Sequence, residues 1–358
     1  MSIFQKIPRL SLVTTLFSIF SMTMIMVFLT FSLSLPASAA DAGFHLLKRI
    51  TIGGEGGWDY LTVDSSARRV YISRGTHVLV LDADSYKVVG DIPDTPGVHG
   101  IALASEFRKG FISNGRENTV SMFDLKTLKT LQKIKVGQNP DAILYDPATR
   151  RVFTFNGKSQ DSTAIDAATG SVLGTIALGG KPEFAVSDRQ GLIFVNIEDK
   201  SLMAVLDPRS LQVKSKWDLK PCQEPSGLAL DRAHNRLFAG CDNKLMTVVD
   251  GAKGNVIANL PIGEGVDATS FDPDTQLAFS SNGEGTLTVV HEDSPDKFRV
   301  VENVKTEEGA RTLALDEKTH NVFLVTARRG PPPVPTAENP HPRPSVVPGT
   351  FVVLVFGR

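Results

Sequence analysis

A sevenfold repeat of about 42 residues is the feature that most constrains how this chain can fold. Each copy contains a short apolar run that ends at what we call the anchor position, which is Asp in runs such as LTVD, ILYD and LALD. The seven anchor positions are Asp64, Ala104, Asp146, Asp188, Asp231, Asp272 and Asp316. They follow one another at steps of 40 to 44 residues. Because such a period is typical of propellers and solenoids, the chain is predicted to consist of seven similar units.

Each unit shows the patterns of four short strands separated by Gly, Asn, Asp and Pro turns. A second strand begins near an aromatic residue six or seven positions after the anchor, as in VYIS and GFIS. These aromatic residues are Tyr71, Phe111, Phe153, Phe194, Phe238, Phe279 and Phe323. Third and fourth strands follow, as in VLVLDADS and KVVGDI. The pattern predicts an all-β, seven-bladed β-propeller with four antiparallel strands in each blade.

The two ends of the chain are predicted to complete one blade together. The last unit ends after its third strand, Thr350 to Phe356, whereas Phe44 to Ile52 has the pattern of a strand with no unit before it. Pairing these two strands would remove two exposed sheet edges, which closed folds avoid. We therefore expect residues 40–358 to form a propeller whose ring is closed by the N-terminal strand.

The first 39 residues differ from the repeats and have the pattern of a secretory signal peptide. Lys6 and Arg9 precede an apolar run from Leu10 to Leu35, and a small-residue cleavage site follows near Ala39 and Ala40. We expect a cleaved, periplasmic or secreted protein with no stable membrane insertion. Because the apolar run is long enough to cross a bilayer, an uncleaved anchor is the alternative.

The second-strand segments VYISRG, GFISNG, VFTFNG and AFSSNG resemble the degenerate tetrapeptide of YVTN-repeat propellers, the YncE-like exported proteins. The resemblance covers the whole chain after the leader. It implies the seven-bladed fold and an exported protein. It does not imply one activity, because the fold of this family resembles a scaffold that serves several functions. Related propellers include lactonases and lyases.

Two local features add structural expectations. Cys222 precedes the first strand of the fifth unit and Cys241 ends its second strand, so both belong to one side of one blade. Since exported compartments permit disulfides, we expect the two to be bonded. Residues 329–349 of the last unit are rich in proline, which removes backbone donors, and should form an exposed loop between the second and third strands. A partner-docking arm or a lid is the alternative for this loop.

Strand order determines which loops share a face of a propeller. Loops from a fourth strand to the next first strand, and from a second to a third, lie on one side. The residue five positions before each anchor lies on that side and is polar in all seven units. These positions, which we call the channel rim, are Asp59, His99, Asp141, Glu183, Ser226, Asp267 and Arg311. We expect them to surround the mouth of the central channel and to bind a ligand.

Three asparagines and the histidines can be sorted in the same way. Asn114, Asn156 and Asn282 follow second strands and are expected to add amide groups to the rim, although Asn-Gly also favours a tight turn. Most histidines fall on the opposite face. These are His45, His234, His291 and His320. The chain contains no HExxH motif and no paired Cys/His spacing of the kind that binds zinc.

Binding of a small molecule or a protein partner at the acidic rim, without turnover, is the function that the pattern favours. The alternative is a metal-assisted lactonase or lyase. In that case Asp141, Glu183 and Asp267 would hold a divalent cation such as Ca²⁺, and His99 and Arg311 would be the candidate catalytic residues. We expect a monomer. Without the leader, 36 of the 38 Lys and Arg residues face 39 Asp and Glu residues, and the net charge of about −3 disfavours nucleic-acid binding.

Overall fold

Seven four-stranded antiparallel sheets form a ring in the computed structural model, which describes residues 43–333, 336 and 344–358. The predicted all-β, seven-bladed propeller is therefore confirmed. The predicted leader lies outside the described residues, so its cleavage and the location of the protein stay predictions. No helix within the described ranges is long and apolar enough to cross a membrane.

Four strands make each blade, and they are numbered in chain order. The N-terminal strand is β1, His45–Thr51. Blades one to three contain β2 Leu61–Asp64, β3 Arg69–Ser73, β4 Val78–Asp82, β5 Val88–Ile92, β6 Val98–Ala104, β7 Lys109–Asn114, β8 Thr119–Asp124, β9 Thr130–Lys135, β10 Pro140–Asp146, β11 Arg151–Asn156, β12 Asp161–Asp166 and β13 Val172–Ala177.

The other strands complete blades four to seven. They are β14 Pro182–Ser187, β15 Ile193–Ile197, β16 Leu202–Asp207, β17 Gln212–Asp218, β18 Pro225–Asp231, β19 Arg236–Cys241, β20 Leu245–Asp250, β21 Val256–Pro261, β22 Val266–Asp272, β23 Leu277–Asn282, β24 Thr286–Ser294, β25 Lys297–Lys305, β26 Leu313–Asp316, β27 Asn321–Thr326 and β28 Val352–Gly357. Two single-turn 3-10 helices, Ser105–Phe107 and Glu198–Lys200, follow β6 and β15.

First strands line the inside of the ring and fourth strands its outside. The first strands of successive blades contact one another around the whole ring, from β2 through β26 and back to β2. The second strands lie inside the blades, and their aromatic side chains pack between neighbouring blades. These repeated side chains, from Tyr71 to Phe323, are at most 1% exposed. Fourth strands face solvent, as the half-exposed Val88 and Leu131 show. The aromatic repeat therefore marks the layers of core between blades.

The anchor aspartates cap the turns between first and second strands. Oδ1 of Asp64 accepts the N–H of Ala67 at 2.9 Å, and Oδ2 of Asp146 accepts that of Thr149 at 3.0 Å. Such turns recur because an Asp side chain can bind the backbone two or three residues ahead of it. The repeated Asp is thus explained by local structure.

The ring is closed as predicted. Strand β1 pairs antiparallel with β28, with Leu46 opposite Phe356 and Ile50 opposite Val353. Phe44, directly before β1, packs edge-on against Phe279 of blade six at 5.2 Å between ring centroids. The N-terminal strand therefore completes blade seven, and the residue before it also contacts the neighbouring blade.

The two local features lie in blades five and seven. Cys222 and Cys241 form a disulfide with a Cα–Cα distance of 5.5 Å, which joins the segment before β18 to the end of β19. Residues 329–349 lie between β27 and β28 and include positions outside the described residues. At the base of this segment, Arg329 pairs with Val346 in an isolated antiparallel bridge.

Candidate functional site

Five of the seven rim residues lie at irregular points of the innermost strands, whereas Asp59 and Arg311 lie two residues before theirs. Register shifts in the pairing with the second strands include His99 in β6, Asp141 in β10 and Glu183 in β14, and similar shifts occur in β18 and β22. A β-bulge adds a residue that does not pair in the ladder and redirects its side chain. The side chains at these bulges therefore do not follow the regular alternation between the two faces of the sheet.

Hydrogen bonds between neighbouring blades position several rim residues. In four cases a side chain of one blade donates to the backbone carbonyl of the rim residue in the next blade. The pairs are Ser113 and Asp141, Asn196 and Ser226, Ser281 and Arg311, and Thr312 and Asp59. Ser113, Ser281 and Thr312 were not predicted to have this role, although Ser113 and Ser281 occupy the same place in their second strands.

His99 connects the acids of blades one and three. Its Nδ1 lies 2.5 Å from Oδ2 of Asp59 and 3.5 Å from Oδ1 of Asp141. Burial lowers the pKa of His99, but the hydrogen bond to Asp59 and the charges of both acids outweigh burial and raise the pKa to about 9. The imidazole is therefore charged at neutral pH.

Arg311 connects the acids of blades one and six. One terminal nitrogen lies 3.1 Å from Oδ2 of Asp267 and the other 3.6 Å from Oδ1 of Asp59. The Ser226 hydroxyl donates to Oδ1 of Asp267 at 3.1 Å. Six of the seven rim residues, all except Glu183, thus belong to one polar network. It extends from Asp141 over His99, Asp59, Arg311 and Asp267 to Ser226.

Lys181 is a rim cation that the sequence analysis missed. Its Nζ lies 2.6 Å from Oε1 of Glu183 and also pairs with Glu198. The residue stands two positions before Glu183, in the loop that leads into β14. A repeat comparison at one fixed offset could not find it, because the pairing depends on how the loop folds over the rim.

Three rim carboxyl groups hold protons unusually strongly. Burial raises the pKa of Asp141 to about 7 and, with the charge of Asp141, that of Glu183 to about 8. Burial also raises the pKa of Asp267 to about 6, against the opposing charge of Arg311. Oδ1 of Asp141 is buried and accepts no hydrogen bond from any residue that the structure describes. The ionised forms of these three carboxyl groups are therefore only partly stabilised by the hydrogen bonds and cations around them.

Tyr60 lies within reach of the field of all four rim acids. Burial raises its pKa well above the usual value, and the charges of Asp141, Glu183, Asp267 and Asp59 raise it further. Its ring packs edge-on against Phe184 at 5.4 Å, and both rings line a cavity of about 50 Å³. The rim thus combines acids with an aromatic surface.

A surface groove gives access to one side of the rim. It has a volume of about 340 Å³, and its charged and ionisable lining residues are Asp59, His99, Arg116 and Arg311, beside Trp58 and others. The His99 and Arg311 side chains are 27% and 30% exposed. A ligand of a few atoms can therefore reach the network from solvent.

The structure does not bring the three predicted asparagines into this network. Asn114, Asn156 and Asn282 are fully buried. Each amide nitrogen donates to a hydroxyl of the third strand in its own blade, for example from Asn114 to Ser121 at 2.9 Å. Their contacts hold second and third strands together, which explains their recurrence without a ligand.

The predicted carboxylate set for a hard cation does not converge either. Within the described part of the rim, the group whose potential ligand atoms lie within 4.8 Å of one another is Asp59, His99 and Asp141. Glu183 is paired with Lys181, and Asp267 with Arg311. Two of the three acids predicted to hold Ca²⁺ are thus already in ion pairs.

Comparisons with known proteins support the fold alone. No family model matches the chain, and no curated protein matches it. Among solved structures, it is similar to a chain of hydrazine synthase from Kuenenia stuttgartiensis, with a TM-score of 0.66 and 15% sequence identity. The match covers 75% of this chain and 92% of that one. At this identity the likeness shows a shared architecture and carries no statement about activity.

Proposed function

We propose that this protein is an exported YVTN-repeat propeller whose channel rim binds a positively charged ligand without chemical turnover. The propeller fold supports a binding or scaffold role. The assignment to the YncE-like family rests on the second-strand segments, and export rests on the leader pattern. The ligand class rests on the charges of the rim.

The observation that carries the proposal is the unbalanced charge at the rim. Asp59, Asp141 and Asp267 pair with His99 and Arg311, and Glu183 and Glu198 pair with Lys181 in a second group. The cations of these two groups are His99, Lys181 and Arg311. Five carboxylates thus share three cations in these contacts, and burial together with neighbouring acids raises the pKa values of Asp141, Glu183 and Asp267, so these groups hold their protons more strongly. A ligand with one or two ammonium groups would replace these protons and relieve the repulsion.

Tyr60 and Trp58 suit the same ligand class. An ammonium group gains energy from hydrogen bonds to carboxylates and from contact with aromatic rings. Trp58 lines the groove, and Tyr60 lies in the field of the four rim acids. An amine is therefore favoured over a neutral polyol, which can donate hydrogen bonds to the carboxylates but carries no charge to balance them.

The test is calorimetric titration of the purified protein with 1,4-diaminobutane, with 1,4-butanediol as the uncharged probe of equal length. We expect saturable binding of the diamine alone, weakened at least tenfold, or about 1.4 kcal/mol, in the double variant Asp141→Asn, Glu183→Gln. The matched control is Asp242→Asn, Glu264→Gln, which removes two exposed acids from the same face.

Three outcomes would reject the proposal. The wild-type protein could fail to bind the diamine, the rim variant could bind it as tightly as the wild type, or the control variant could lose as much affinity as the rim variant. Titration with Ca²⁺ tests the metal-assisted alternative. Ca²⁺ binding that is lost in the rim variant, without diamine binding, would favour the lactonase or lyase.

A further inference from the structure

A second cluster of acids and histidine lies on the face opposite the rim, between blades five and six. Asp231 ends β18, His234 lies in the turn after it, and Glu292 lies near the end of β24 in the next blade. Nδ1 of His234 is 2.6 Å from Oδ2 of Asp231 and 3.0 Å from Oε1 of Glu292. One potential ligand atom from each residue lies within 4.8 Å of the other two.

Glu292 is buried in this cluster next to His234, whose imidazole it shares with Asp231. The residue is 1% exposed, and neither carboxylate oxygen accepts a hydrogen bond from any part of the chain that the structure describes. Nδ1 of His234 carries at most one proton, and Asp231 accepts it at the shorter distance. A buried carboxylate without hydrogen bonds is costly. A cation bound inside the cluster would therefore stabilise the buried carboxylate of Glu292.

The nearby guanidinium of Arg236 does not pair with the carboxylate of Glu292. Its nitrogens are engaged by other acceptors. Nε donates to the carbonyl of Pro295 at 2.6 Å, and the terminal nitrogens lie 3.1 Å from Asp296 and 3.5 Å from Asp250. Arg236 thus pairs with other acids and not with Glu292.

We propose that Asp231, His234 and Glu292 bind a divalent first-row transition-metal ion of the Zn²⁺ type. One imidazole nitrogen with two carboxylate oxygens suits such an ion, whereas Ca²⁺ and Mg²⁺ prefer oxygen ligands alone. Metal–ligand bonds of about 2.0–2.2 Å place tetrahedral ligands about 3.3–3.6 Å apart. The present contacts would therefore widen by at most about 1 Å, and the Nδ1 proton would leave on binding.

Access and position also suit a metal ion. The His234 side chain is 34% exposed, so further coordination positions can be filled by water. The carboxylates are far less exposed, at 3% for Asp231 and 1% for Glu292. The cluster joins two blades, so an ion bound here would link β24 to the turn after β18.

The next turn around the ring has similar residues and serves as a matched control. His320 Nδ1 lies 2.8 Å from Oδ2 of Asp272, and Asp274 completes the group. The Asp272 oxygens already accept the N–H of Asp274 at 3.1 Å and the hydroxyl of Thr275 at 2.7 Å. Its only further acid, Asp274, is exposed within the described chain. This group therefore has no buried acid in need of a cation.

The rim group of Asp59, His99 and Asp141 is the other place where a metal could bind. There Arg311 lies 3.6 Å from Asp59 and would repel a divalent ion. Variants of His99 and His320 thus show whether a measured ion binds at the proposed site or at one of these two.

The experiment is calorimetric titration of Zn²⁺ into the full chain after removal of metals with EDTA. We expect one ion per chain, with affinity lowered at least tenfold by Glu292→Gln and by His234→Asn. His320→Asn, His99→Asn and the rim variant Asp141→Asn, Glu183→Gln should bind Zn²⁺ like the wild type. This last variant also keeps the test independent of the proposed amine binding.

Circular dichroism and urea unfolding establish that each variant is folded. Should Glu292→Gln fail to fold, the visible absorption of bound Co²⁺ is measured instead. One equivalent of Zn²⁺ must displace the Co²⁺ and abolish this absorption, and the Co²⁺ spectrum must change in His234→Asn. The proposal is overturned if the wild type binds no Zn²⁺, or if binding survives His234→Asn and is lost with His99 or His320 instead.

Discussion

Asp141 and Asp146 lie five residues apart in strand β10, and their surroundings differ in almost every respect. Asp146 is fully buried and accepts the N–H of Thr149 at 3.0 Å and the hydroxyl of Ser187 at 2.6 Å. Asp141 has a buried oxygen that accepts nothing from the described residues, and burial raises its pKa to about 7. The comparison teaches that one residue type in one strand serves structure where donors surround it and is available to a ligand where they are missing.

The largest effect is expected from removing the structural acid. Asp146→Ala leaves the donors of Thr149 and Ser187 without an acceptor inside the protein, so the free energy of unfolding should fall by about 2–4 kcal/mol. Urea unfolding at pH 7 measures this change. An equal loss in Asp141→Asn would show that the two acids do not differ in role.

A smaller effect, of opposite sign, is expected at the rim and depends on pH. Raised pKa values mean that Asp141, Glu183 and Asp267 favour folding most below about pH 4, where the unfolded chain is also protonated. This contribution is lost as the pH rises through about 6, 7 and 8, the pKa values of Asp267, Asp141 and Glu183 in the folded protein. His99, with its pKa raised to about 9, changes in the same direction at higher pH.

The variant Asp141→Asn, Glu183→Gln should therefore gain stability relative to the wild type between pH 5 and pH 8, by about 1–2 kcal/mol. Unfolding free energies at four pH values across this range measure the difference. The control Asp242→Asn, Glu264→Gln should follow the wild type. Parallel curves for wild type and rim variant would mean that the rim acids are solvated like ordinary surface carboxylates.

The smallest effect is expected at Asp166, which ends the third strand of the same blade. Burial alone would raise its pKa, but the N–H groups of Thr169 at 2.8 Å and Ala168 at 3.0 Å lower it. The turn needs an acceptor oxygen, and Asn supplies one. Asp166→Asn should thus change the free energy of unfolding by no more than about 0.5 kcal/mol at pH 7. A loss comparable to that of Asp146→Ala would show that the charge of the turn is essential.

Much of the site was predictable as a set of positions, but its pairing was not. The fixed offset before the anchor identified His99, Asp141 and Arg311, because strand order alone decides which loop ends meet. The same offset could not show that Lys181 reaches Glu183, or that Tyr60 lies in the field of the rim acids. Nor could it separate Asn114, which is buried and bonded within its blade, from a residue that faces a ligand.

By itself, the sequence determined the number of blades, the ring closure and the local turns, because these depend on short-range patterns that every unit repeats. Period-two strands, Asp-capped turns and the aromatic layer act within about 42 residues or between neighbours. Only the tertiary structure decided which acids gain a cation and which remain unbalanced. That outcome depends on charges contributed by different blades, such as Arg311 beside Asp59 and Glu292 beside His234. Electrostatic interaction depends on the distance between charges in space, and the sequence of a single repeat does not specify its distance from charges in other blades.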